Sequence, residues 1–369
     1  EKRLAALTKW AASIQAQSET FLDVSQKAKQ ENAWFSTENI EKAVAAIGTM
    51  LQADAVTTWA KQWSYYPEVS APKKVGLILA GNIPMVGFHD VVCVLAAGHT
   101  ALIKLSSQDK VLIPFLLDQL IVIEPAFADR INYVERLADF DAVIATGSNN
   151  SSRYFEYYFG KVPHIIRKNR TSIAIINGDE TVEERTQLGA DIFSYFGLGC
   201  RNVSKIYVPK GYDMAHFFEP IESYNSIIQH HKYLNNYEYN KSIYLVNSDA
   251  HLDNGFLLTK PDTSLHSPLA VLFTEEYASK ADLEKHLQTI RAMAVDMETA
   301  TIFITGFANE IPTGALLLVS DQPMVPEGVK TAESDSNVTA HYVEDHLNVG
   351  INSLKQLING GLTVKHLKF

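Results

Sequence analysis

Between residues 74 and 148 the chain repeats one unit, a short apolar run that stops at small or turn-forming residues and is followed by a helix-length stretch. KVGLILAGNIP (74–84) stops at Gly81-Asn82, ALIKLSS (101–107) at Ser106-Ser107, and DAVIATGS (141–148) at Gly147-Ser148. Runs this short and this apolar are strands buried on both faces. Strands separated by helices run parallel, with right-handed crossovers. Residues 86–97, 109–123 and 150–159 supply the helices. Ligands of such sheets gather at the carboxyl ends of the strands, where Asn82, Lys104 and Ser148 fall. Further strands are expected at 131–136, 171–177, 204–209, 242–247 and 268–274, with a helix over 181–197. Residues 1–63 read as helices, apolar at helical spacing through Ile40, Val44, Ile47 and Leu51. One of these helices starts at Ser36 with Asn39, or at Thr37 with Ile40.

Composition narrows the classes. With 46% hydrophobic and 20% charged residues over 369 positions, the chain can bury a sizeable core and is not globally disordered. A net charge of −10 without a long basic run argues against a nucleic-acid partner. The longest apolar stretches, such as 75–80 and 313–319, are far shorter than the roughly 20 residues of a membrane helix. Two cysteines, Cys93 and Cys200, are too few for a disulfide framework and fit a reducing cytoplasm. No secretory signal is visible. His230-His231 are adjacent, point apart, and have no matching ligands at metal spacing, so no metal site is expected.

Cys200 follows Gly197-Leu198-Gly199, glycines that let backbone approach a substrate closely. A thiolate there can attack a carbonyl carbon and form a thioester or thiohemiacetal, and neighbouring Arg201 favours the thiolate. Taken alone, a lone cysteine is more often buried structure. Asn82 at a strand end can donate to a developing oxyanion, although Asn before Ile-Pro is also ordinary turn chemistry. Lys104 suits ribose hydroxyls or a 2′-phosphate, and Gly147-Ser148 before a helix suits a pyrophosphate. No Gly-x-Gly-x-x-Gly fingerprint is present. His89-Asp90, just after the Asn82 turn, is placed to touch substrate but is expected mainly to cap a helix, and Cys93 to sit in the core.

In this order the four pieces resemble the aldehyde dehydrogenase superfamily. VGLILAGNIPMVGF is similar to its strand-Asn-Pro segment, AAGHTALIKLSS to its lysine segment, ATGS to its Thr-Gly-Ser segment, and FGLGC to its cysteine segment. The likeness is closest to the luminescence-type fatty acyl-CoA reductases, through ATGSNNSSRYFEYYF, HIIRKNRTS, YFGLGCRNVSKIYVPKGYD and HHKYLNNYEYNKSIYL, and covers about 1–285. The resemblance implies an α/β fold of aldehyde-dehydrogenase-like cofactor and catalytic domains with parallel sheets. N-terminal helices would occupy 1–65, the cofactor domain 66–172 and the catalytic domain 173–285. It makes Cys200 the acylated nucleophile and Asn82 an oxyanion donor, with Lys104, Ser106, Ser107, Gly147 and Ser148 toward the cofactor. Ser107 stands where many members carry Glu, which removes repulsion against a 2′-phosphate and favours NADPH. The general-base glutamate should fall at 166–168, where the chain reads Ile-Arg-Lys. The implied substrate is an acyl-CoA or another acyl thioester, and the implied product an aldehyde. Relatives are often homo-oligomers, built with a closing strand that this chain lacks.

Residues 286–369 differ in kind. AMAVDMETATIF (292–303) and IPTGALLLVSDQPMVPEGVKT (311–331) resemble the nucleoside phosphorylase superfamily, most of all bacterial AMP nucleosidases. There the resemblance gives Glu298 the ribose hydroxyls, Met297 the face of the sugar, and Asp321 a purine nitrogen to protonate, with a purine nucleotide as ligand. The earlier half of such a site has no counterpart in residues 1–285. The tail is therefore a partial phosphorylase-like segment, joined without a Gly/Pro/Ser linker inside 278–293. A fusion that lost parts of both partners, a joining artefact and a replacement for the reductase's closing piece all remain open.

Overall fold

The computed structural model describes residues 2–14, 19–62, 71–147, 149–167 and 171–289. The chain divides into two compact units near Ala278. The first opens with four helices, α1 (Lys2–Ile14), α2 (Glu19–Glu31), α3 (Thr37–Met50) and α4 (Ala53–Gln62). Ser36 caps α3, its hydroxyl accepting from the Asn39 backbone N–H, so the first of the two expected starts is the one used. Trp10 is fully buried and its ring lies 5.2 Å from that of Phe88, which ties α1 to the body of the unit.

Two sheets follow. The first takes β1 (Lys74–Ile78), α5 (Phe88–Ala96), β2 (Thr100–Lys104), α6 (Leu112–Ile123), β3 (Ile131–Tyr133), β4 (Ala142–Thr146), α7 (Asn149–Phe159) and β5 (His164–Arg167). Its strands lie in the order β3-β2-β1-β4-β5, all parallel. The middle strands β1, β2 and β4 are buried along most of their length, as apolar runs flanked by helices on both faces require. The second sheet takes β6 (Ser172–Ile175), α8 (Val182–Phe193), β7 (Val203–Pro209), α9 (Ala215–Ile221), α10 (His231–Asn247), β8 (Leu252–Asp253), β9 (Leu258–Pro261) and β10 (Val271–Tyr277). Its order is β6-β7-β10-β9-β8, parallel except for the β8–β9 pair. The described part of the second unit is one helix, α11 (Lys280–Thr289).

One expected strand is a helix. Residues 242–247 end α10, because Tyr233, Tyr237, Asn240 and Tyr244 recur at helical spacing and form its buried face. Leu245 and Val246, whose apolar character suggested a strand, are exposed. Strands β5, β8 and β9 lacked a sequence signal strong enough to be expected. They are short, two to four residues each, below the length at which alternation can be read. The helix expected over 181–197 stops at Phe193 and gives way to a 3-10 turn over Ser194–Gly197.

Candidate active site

The carboxyl ends of β1, β2, β4 and β5 open into a cleft of about 820 Å³, whose other wall comes from the second sheet's loops. Asn82, Ser106, Gly147, Arg167 and Cys200 all line it. The first wall is shaped by backbone crowding. A Cβ on Gly81 would lie 2.5 Å from the Ser106 hydroxyl oxygen, so only glycine lets the β1 and β2 loops come this close. Met85, three residues past Asn82, has φ of 55° and gives its N–H to the Asp109 carboxylate at 2.8 Å. Asp109 is buried and its pKa is pushed up to about 6, chiefly by burial, against the lowering effect of the Met85 and Leu112 N–H groups.

The wall that carries the cysteine is built differently. Tyr195, Phe196 and Gly197 have φ of 51°, 60° and 77°, three consecutive residues in the left-handed region. For the two non-glycines this costs roughly 1–2 kcal/mol each. Side chains hold the conformation. The Phe196 ring stacks on His230 at 4.1 Å, His230 stacks on Trp34 at 5.2 Å, and His230 Nε2 donates to the Ala33 carbonyl at 2.8 Å. Beyond the turn, the Gly199 N–H donates to Asn202 Oδ1, and Asn202 Nδ2 to the Asp191 carbonyl, both at 2.8 Å. Ser172 Oγ donates to the Cys200 carbonyl at 3.2 Å. Cys200 is exposed at the cleft.

The two walls touch at a chemically informative point: Asn82 Nδ2 donates to the Leu198 carbonyl at 2.7 Å, two residues before the cysteine. The carboxamide and the thiol-bearing turn, 116 residues apart in sequence, thus share one locale. Lys104, the last residue of β2, and exposed Ser107 are not among the residues lining the cleft. Ser148, Met297, Glu298 and Asp321 lie outside the described residues.

His89 and Asp90 do not cap a helix, contrary to the sequence expectation. They sit in the first turn of α5, whose N-cap is Gly87 with no side-chain cap, and both line the cleft. Asp90 is buried and ion-paired with Arg167, whose guanidinium donates to Asp90 Oδ2. His89 Nδ1 lies 3.6 Å from Asp90 Oδ1. Burial alone would raise the Asp90 pKa, but His89 and the Arg167 charge overcome it and hold the carboxyl below its ordinary value. The Asp90 carboxylate and the Cys93 sulfur, 3.7 Å from Nε2, in turn raise the His89 pKa against burial. Cys93, expected in the core, is only half-buried. The sequence showed Arg167 where a base was missing, but nothing local paired it with Asp90, 77 residues earlier.

Residues 2–222, more than half of the chain, match the family Acyl-CoA reductase (LuxC). The chain belongs to the acyl-CoA reductase (LuxC) family. Residues 268–357 match a second family, the phosphorylase superfamily. There the chain is 37% identical over 67 residues to AMP nucleosidase of Escherichia coli (strain K12), a stretch that is 18% of this chain and 14% of that protein. The chain thus spans about a seventh of the length of the curated relatives it matches. Among solved structures, it is similar to a Mycobacterium tuberculosis aldehyde dehydrogenase complexed with NAD+, with TM-score 0.57, 14% identity, and coverage of 76% of this chain and 69% of that one. It is also similar to an indole-3-acetaldehyde dehydrogenase complexed with NAD+, with TM-score 0.60, 13% identity, and coverage of 84% and 74%. These likenesses show an aldehyde-dehydrogenase-like α/β fold. Together with LuxC family membership they support an oxidoreductase acting on acyl or aldehyde groups. Among the described residues, no helix is long and apolar enough to cross a membrane.

Proposed function

We propose that the chain is an acyl-CoA reductase that carries its acyl group on Cys200, reduces it to an aldehyde, and uses NADPH as reductant. The observation that carries this reading is the Asn82–Leu198 hydrogen bond, which brings a carboxamide donor to the turn bearing the only exposed cysteine among the described residues. The Cys200 thiolate adds to the thioester carbonyl and the oxygen takes up negative charge. Asn82 Nδ2 carries two hydrogens, so one can meet that oxyanion. Collapse breaks the bond to coenzyme A, whose sulfur leaves with the electron pair, and the acyl group remains on Cys200.

The cleft fits a nicotinamide cofactor at the strand ends. A Cβ at Gly147 would press within 2.8 Å of Phe155 and 2.9 Å of Ser151, so glycine lets the end of β4 pack closely on α7 at the cleft. Gly147 and Ser106, which line the cleft, would hold the cofactor together with Ser148; the 2′-phosphate role of Lys104 and Ser107 rests on the family resemblance, since neither lines the cleft. When bound, the cofactor supplies the hydride that reduces the acyl carbon. Where the resemblance expects a general-base glutamate, at 166–168, the chain carries Arg167, which cannot take a proton from water, so reduction is favoured over hydrolysis.

The test is acyl-enzyme formation. Mixing the protein with a long-chain acyl-CoA should add one acyl mass, mapped to Cys200, and Cys200→Ala should show none. An adduct retained in that variant would overturn the reading. The purine-nucleotide reading of Met297, Glu298 and Asp321 rests on the AMP nucleosidase likeness. It predicts release of adenine from AMP, lost in Glu298→Ala.

A further inference from the structure

A carboxylate inside a cleft that holds an acyl-enzyme is a hazard to a reductase. It can take a proton from water and drive hydrolysis of the thioester. Asp90 is such a group, an aspartate lining the same cleft as Cys200 and Asn82. Its side chain is only 5% exposed, and it meets Arg167, itself 11% exposed.

We propose that Arg167 is the residue that commits the acyl-enzyme to reduction, by locking Asp90 in an ion pair and denying it the role of general base. This deepens the reading of Cys200 as the acylated nucleophile and rests on it. The forbidden step is explicit. Water oxygen would bond to the acyl carbon while a carboxylate oxygen of Asp90 took the water proton. The carbon–sulfur bond would then break, its electron pair returning to Cys200, and a fatty acid would leave. A base for this step needs proton affinity near the working pH. The groups set against Asp90 are Arg167 from β5 and His89 from its own helix, and His89 in turn meets Cys93. Both neighbours favour the carboxylate and make it a poor proton acceptor. Without Arg167, the carboxylate oxygen it now holds is open to water, and the share of the pKa lowering that its charge supplies is lost, leaving His89 alone against burial. The contact of Arg167 that matters here is with Asp90. Arg167 is a positioning residue that acts through Asp90.

The experiment follows the decay of acyl-Cys200 by mass spectrometry without cofactor, after removal of excess acyl-CoA. Wild type should lose its acyl group slowly at pH 7. Arg167→Gln should lose it about 10-fold faster or more, with a rate that rises with pH as Asp90 ionises. The double variant Asp90→Asn/Arg167→Gln should return to the slow rate. An Arg167→Gln rate equal to wild type would overturn the proposal, as would a double variant as fast as the single one. Removing one partner of a buried pair can unfold a protein, so the wild-type pH profile provides a second measurement. It should show no inflection from a carboxyl base between pH 5 and 8, and an inflection there would mean that Asp90 already acts as the base and sink the idea. If wild type forms no acyl-enzyme at all, the parent reading falls instead, an outcome visible before any decay is measured.

Discussion

The two walls of the cleft reach the same site by different physics. The first sheet delivers Asn82, Ser106 and Gly147 just past strand ends, where backbone pairing across β1, β2 and β4 fixes their positions. Its precision comes from regular structure. The second sheet delivers Cys200 on a turn whose left-handed residues are unfavourable in themselves and are kept by stacking against Trp34 and His230. Its precision comes from side chains. In the proposed reaction the donor would sit on the wall set by strand pairing, and the nucleophile on the wall that ring stacking and local turn bonds restrain.

That contrast can be broken from either side. The largest effect is expected at the wall built from strand ends, where Asn82→Ala removes both the tie to Leu198 and the proposed oxyanion donor. Acylation of Cys200 should slow by about 100- to 1000-fold, measured by rapid-quench mass spectrometry, while stability changes little. An unchanged acylation rate would show that the walls need not meet there. On the other wall, His230→Ala deletes three ring contacts and the bond to the Ala33 carbonyl, at a cost of about 2–3 kcal/mol, seen as a lower midpoint in denaturant. Acylation should fall by about 10-fold as the Cys200 turn loosens. If stability drops but acylation does not, the stack does not hold the turn.

The smallest effect concerns pH and returns to the wall built from strand ends. Asp109 has a folded-state pKa of about 6 against an ordinary 3.8. A raised carboxyl favours folding below its unfolded value, and that contribution disappears as pH rises through about 6. Asp109→Asn keeps an acceptor for the Met85 N–H, so stability measured across pH 4 to 6 should decline less steeply than in wild type. Equal slopes would mean that this aspartate does not sense the burial described.

The sequence exposed the wall built from strand ends far better than the wall that carries the cysteine. Strand-turn-helix alternation is a local signal, and it located β1, β2, β4 and the turns that carry Asn82 and Gly147. The strand order β3-β2-β1-β4-β5 is a matter of long-range pairing, and no local pattern announces it. Cys200 was legible through its glycines, but the positive φ values at Tyr195 and Phe196 were not, because neither residue type favours them. Helix α10 was half misread because its buried face is made of tyrosines and an asparagine, which a search for aliphatic stripes passes over. The Asp90–Arg167 pair was the least visible, since both residues look like surface charges until the fold brings α5 against β5.

The hydrogen bond from Asn82 to Leu198 carries a last consequence. Nδ2 carries a second hydrogen, so an acceptor arriving in the cleft can be met without breaking the tie to the Leu198 carbonyl. In the proposed reaction the pin between strand end and cysteine turn would stay fastened while charge comes and goes beside it.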